Sequence, residues 1–82
     1  MFSKEIFSER LRLLRKEKNE RQADIAQLLG VSKSQITEME RAHKGTSLER
    51  LVILCEHYNV SADYLLGLTE EKRALIMDGE GQ

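Results

Sequence analysis

Between residues 3 and 68 apolar side chains recur every three or four positions, and no stretch alternates apolar and polar residues at the two-residue period of a strand. The helical runs are short, because Asn or Gly punctuates them, and the chain has no proline to kink one. That pattern excludes a sheet and predicts an all-α domain of five or six short helices. Phe7, Leu11, Leu14 and Lys18 mark a first helix from about Ser3 or Ser8 to Lys18, with Asn19 suited to a left-handed helix end. A second spans Gln22 to Leu29, with Ile25, Ala26 and Leu29 inward and Gly30 as its stop. Ser32 caps a third, about Lys33 to Arg41, which buries Ile36 and Met39 and turns Lys33, Ser34, Thr37, Glu38 and Arg41 outward. A fourth opens at Thr46 or Ser47, where Thr46 and Glu49 fit a capping box. Its expected inner face is Leu48, Leu51, Cys55 and Tyr58, and Asn59 closes it. Ser61 caps a fifth, Ala62 to Leu66, stopped by Gly67. Thr69-Glu70-Glu71 allows a short sixth over Lys72 to Met77, before a frayed tail.

A length of 82 residues suits one small domain with little room for a cleft between lobes. The formal net charge is -1, but it is unevenly spread: residues 1–45 carry ten basic and seven acidic side chains, residues 46–82 three and seven. One cysteine cannot form an intrachain disulfide. No apolar run approaches the roughly 18 residues of a membrane span, and Lys4 and Glu5 interrupt any signal-peptide core, so a soluble, cytoplasmic setting is expected. His43 and His57 lack metal-ligand spacing, and Cys55 reads as a small core residue. No nucleophile–base pair or Gly-rich phosphate loop stands out. Neither an enzyme nor a cofactor, metal or small-molecule substrate is expected.

Residues 22–40, Gln-Ala-Asp-Ile-Ala-Gln-Leu-Leu-Gly-Val-Ser-Lys-Ser-Gln-Ile-Thr-Glu-Met-Glu, place two short helices around a turn that begins with Gly30. Small Ala26 permits close approach, Gly30 supplies positive φ, and Val31, Ile36 and Met39 pin the second helix across the first. Such a unit projects one helix outward, its N-terminal side chains available to base edges in a major groove. With Arg10-Leu11 and Arg15 before it, and Asn59-Val60-Ser61-Ala62-Asp63-Tyr64-Leu65-Leu66-Gly67 after it, the chain over about residues 7–67 resembles the Xre/Cro-type helix-turn-helix family of phage and bacterial transcriptional repressors. It departs from that pattern at Ala42, where Gly is usual, at Thr46, where Pro is usual, and at Glu20, where an apolar residue is common.

The resemblance implies a compact five-helix, lambda-repressor-like DNA-binding domain over residues 1–68, with residues 69–82 a C-terminal helical extension and tail. It implies a homodimeric regulator, a repressor, that binds a palindromic double-stranded DNA operator with helix 33–41 in the major groove. Position by position, Gln22 is implied to anchor the second helix on the DNA backbone and to reach a base. Lys33, Ser34, Thr37 and Glu38 are implied to face bases, and Gln35, Arg41, His43 and Lys44, with Arg10, to meet phosphates. The chemistry agrees: Lys donates to guanine O6 and N7, Glu accepts from cytosine N4, and a Thr methyl packs on thymine. Arg15 and Glu40 are implied to pair and hold the third helix against the first. The bland alternative for the outward set is an ordinary solvated face, and His57 reads as simple surface. The rival function is an antitoxin- or adaptor-like protein-interaction module, which the overall charge favours slightly. Leu68, Leu75, Ile76 and Met77 are expected either to cap the core or to form a dimer contact.

Overall fold

The computed structural model describes residues 3–72. Five helices follow one another: α1 Lys4–Glu17, α2 Gln22–Leu29, α3 Lys33–Glu40, α4 Leu48–Tyr58 and α5 Ala62–Leu66. Each start has a local cause. The hydroxyls of Ser3, Ser32, Ser47 and Ser61 accept the N–H groups of Ile6, Gln35, Arg50 and Tyr64 at 3.2 Å, satisfying donors that the first turn leaves orphaned. At α2 the Asp24 carboxylate accepts the Arg21 N–H at 2.8 Å instead. That bond holds the Asp24 carboxyl below its usual range. Stops are equally local. Gly30 and Gly67 end α2 and α5 at φ 70° and 84°, and Asn19 and Asn59 take the same left-handed conformation after α1 and α4.

Helix α2 packs on α3, α1 on both α3 and α5, and α4 on α5. Phe7, Leu11, Ile25, Ile36, Leu54 and Leu65 are fully buried at the centre, with Leu14, Ala26, Leu29, Met39, Leu51, Cys55 and Val60 around them. Burying each large side chain contributes about 1.5–3 kcal/mol. The Ser8 hydroxyl donates to the Met39 carbonyl, fixing α1 against the end of α3. Among the described residues no helix is long and apolar enough to cross a membrane.

The start of α4 corrects the sequence reading. Ser47, not a Thr46–Glu49 box, makes the cap, and Thr46 Oγ1 is buried without a protein partner. The residues that point inward are Leu51, Leu54 and Cys55, while Leu48 stands 81% exposed. Leu48 lies in the first turn, at the rim of an open groove shared with Phe7 and Leu66, so its regular spacing from Leu51 does not bury it. Residues 69–72 are not helical, and the rest of the expected sixth helix, with Leu75, Ile76 and Met77, lies outside the described residues.

Candidate nucleic-acid interface

The turn between α2 and α3 is closed by the Val31 N–H donating to Ala26 O at 2.9 Å, with Gly30 reversing the chain. Ser32 and Gln35 then bond reciprocally: the Gln35 side chain accepts the Ser32 N–H at 3.1 Å. With Ile36 and Met39 buried beneath, the first turn of α3 presents Lys33, Ser34 and Gln35 to solvent.

Behind that surface runs a continuous polar network. Arg15 donates from Nε to Glu40 Oε2 at 2.7 Å and from Nη2 to Glu40 Oε1 at 3.0 Å. Its Nη1 donates to the Glu20 carbonyl at 2.8 Å. The fork is bidentate and nearly dry, with side-chain exposures of 12% for Arg15 and 4% for Glu40. Glu40, by its hydrogen bonds and then by its charge, raises the guanidinium pKa despite burial. Glu40 Oε1 also accepts Gln22 Nε2 at 3.1 Å, and Gln22 Oε1 accepts the Thr37 hydroxyl at 3.0 Å. That hydroxyl shares its proton with the Lys33 carbonyl at 3.2 Å.

The expected site residues therefore fall into different situations. Lys33, Ser34, Arg41 and Lys44 are exposed, and their side chains make no hydrogen bond or ion pair among the described residues. Gln22 and Thr37 lie at the same surface but are each bonded within the protein. Gln35 spends its oxygen on the cap. Glu38 is engaged by His43, whose Nδ1 lies 3.1 Å from Glu38 Oε1. Arg10 is engaged within the protein: its Nη1 donates to the carbonyls of Tyr64 and Thr69, and the guanidinium sits 4.4 Å from the Tyr64 ring centroid, bracing α1 on α5.

Three cations escaped the sequence reading: Arg12, Lys16 and Arg21. Arg12 and Lys16 line a groove of about 410 Å³ together with Gln22, Lys33, Thr37 and Arg41. Their spacing of four along α1, beside Arg15, was the available signal. A second groove of about 430 Å³ joins Lys33 and Gln22 to Arg21. The outer surface of this unit is thus ringed by exposed cations, while Glu40, the one deeply buried carboxylate among the described residues, is neutralised by Arg15. Among the described residues no cluster of His, Cys, Asp and Glu is arranged to hold a metal.

The family model described as helix-turn-helix matches residues 11–65. The chain belongs to the helix-turn-helix family. It is similar to two curated proteins of Bacillus subtilis (strain 168). One is the HTH-type transcriptional regulator YobD, 39% identical over 66 residues that cover 80% of this chain and 59% of YobD. The other is the HTH-type transcriptional regulator AnsR, 37% identical over 65 residues that cover 79% of this chain and 56% of AnsR. The chain thus spans less than three fifths of the length of either relative. Among solved structures it is similar to the P22 c2 repressor in complex with the synthetic operator 9T, with 36% identity and a TM-score of 0.69 over 74% of this chain and 92% of that one. The five-helix, lambda-repressor-like fold expected from residues 7–67 is the fold found.

Proposed function

We propose that this helix-turn-helix protein is a sequence-specific, double-stranded DNA-binding transcriptional regulator, a repressor, that lays α3 in the major groove. The observation that carries this reading is the first turn of α3: Lys33 and Ser34 stand free at its outer edge, flanked by Arg12, Lys16, Arg21 and Arg41. Cations at that rim meet phosphates on both sides of a groove, and the free side chains reach base edges. The P22 c2 repressor, solved on an operator, supports the same use of the fold here. The reading is of a cytoplasmic, non-enzymatic protein without a cofactor, in which residues 69–82 extend the domain.

A palindromic operator requires two copies related by a two-fold axis, and such an axis needs one self-complementary patch. Leu48 and Val52, one turn apart on α4, are 81% and 54% exposed beside an apolar groove lined by Phe7, Leu51 and Leu66. That patch, which follows directly on the loop carrying Arg41 and Lys44, is where this reading seats the second copy.

Selection of bound duplexes from a random pool tests the function. Enrichment of a palindrome is the expected result, with affinity falling by about 0.9 in log K per log salt for each phosphate neutralised. Recovery of no preferred sequence overturns the reading. Sedimentation of Leu48→Glu against wild type tests the patch, and equal dimer constants remove it.

A further inference from the structure

Glu20 departs from the apolar residue common at its position, and the structure gives it an unusual set of bonds. Its carboxylate is 15% exposed. One oxygen accepts the Tyr58 hydroxyl at 2.7 Å and the other bonds His57 Nε2, so both reach across to the end of α4. Its backbone is committed to one residue: the Glu20 N–H donates to the Arg15 carbonyl at 3.0 Å, and the Glu20 carbonyl accepts Arg15 Nη1 at 2.8 Å. Arg15 in turn holds Glu40, Glu40 holds Gln22, and Gln22 holds Thr37. An unbroken path of hydrogen bonds therefore joins the α4 terminus to the candidate DNA surface. The cations around it are Arg15, at its carbonyl, and Lys18, whose Nζ bonds the His57 carbonyl at 3.2 Å.

A carboxylate taken out of water here loses hydration that a leucine would not have to give up, so stability alone is no reason for it. What Glu20 supplies and a leucine cannot is direction: its two oxygens fix the rotation of the α1–α2 turn about its own axis. We propose that Glu20, anchored by Tyr58 and His57, is a positioning residue for DNA reading, setting the orientation of Arg15 and through it of Gln22 and α3. The inference rests on the DNA-binding reading above.

The test uses Glu20→Leu and Tyr58→Phe in the full chain, with three measurements on each. NMR of the free protein follows the Arg15 Nε–H and the Gln22 side-chain amide. Thermal melting reports the fold, and titrations compare a selected operator with random duplex DNA. Both variants are expected to shift the Arg15 and Gln22 signals. Preference for operator over random DNA should fall by about tenfold in Glu20→Leu, with random-duplex affinity unchanged. A merely structural role predicts a changed melting temperature with those signals and that preference intact, and this result overturns the proposal. Should Glu20→Leu fail to fold, Tyr58→Phe, which removes a single hydroxyl, carries the same readouts. If wild type shows no operator preference, the DNA-binding reading fails, while unmoved Arg15 and Gln22 signals are the separate failure of the coupling.

Discussion

The two ends of α3 face the same groove but are held in opposite ways. In the first turn the Ser32–Gln35 cap and the Thr37 hydroxyl's bond to the Lys33 carbonyl fix the backbone, and the side chains of Lys33 and Ser34 are uncommitted. In the second half Thr37, Glu38 and Glu40 are each bonded to another part of the protein. The difference separates two requirements that a reading helix has to meet. Groups that discriminate bases must reach the duplex with unspent donors and acceptors. Groups that set the helix angle must be satisfied before the duplex arrives, since a buried polar atom left unpaired costs more than the bond it makes is worth.

Breaking the tethered half should have the largest effect. Glu40→Ala strands the Arg15 guanidinium in a nearly dry site and should cost about 3–5 kcal/mol, measured by chemical denaturation. Replacing both partners with apolar residues should cost less than the sum of the single losses. A Glu40→Ala protein that denatures like wild type would make the pair a surface contact.

The free end should behave differently. Lys33→Ala should change stability by no more than about 0.5 kcal/mol while removing about 1–3 kcal/mol of discrimination at one base position of each half-site. Thr37→Val, which removes one of the two bonds that hold the Gln22 side chain, should weaken operator binding without erasing preference at any single position. Specificity profiles of the two variants on one randomised library sharpen the contrast, and uniform losses in both would erase it.

The residue two past α3 offers a smaller change of the opposite sign. Ala42 has φ 65°, a left-handed conformation that a side chain disfavours by about 1–2 kcal/mol. Ala42 stands where the family pattern usually has glycine, so this turn carries backbone strain. Ala42→Gly should therefore stabilise the protein by about 1 kcal/mol, after the entropy a glycine adds to the unfolded chain is deducted. A lower denaturation midpoint would show that the alanine methyl makes a contact worth keeping.

Near neutral pH the smallest effect is the one Tyr58 makes, and it grows only in alkali. Burial, and then the hydrogen bond to Glu20, raises its phenol pKa above the ordinary value of about 10. The folded chain holds this proton more tightly than the unfolded one. Stability is accordingly full below about pH 10 and is lost as pH rises beyond it. Phenolate absorbance should show one tyrosine titrating only as the helical signal disappears. Tyr58 ionising ahead of unfolding would contradict its burial.

What the sequence disclosed divides by distance along the chain. Ser32, Ser61, Gly30 and Asn59 were legible because a cap or a stop depends on neighbours three or four residues away. The α2–turn–α3 unit was legible for the same reason. Arg15–Glu40 was reached through family resemblance, since nothing in its 25-residue separation announces a pair. The roles of His57 and Arg10 stayed hidden because their partners lie 37 residues and 54 or 59 residues away, and exposed charge has no period to betray a fold-back contact. Leu48 was misplaced because helical spacing fixes which residues share a face but not how fully the neighbours cover it.

Cys55, in the middle of α4, is 4% exposed, and burial raises its thiol pKa above the ordinary range. As the chain's single sulfhydryl it doubles as a clock. A thiol-specific reagent in excess can label it only during moments when α4 lifts away from the core, so the labelling rate counts those openings. Operator added to the same tube should slow the clock if bound DNA clamps the whole bundle. Labelling at an unchanged pace would confine the clamp to α2 and α3.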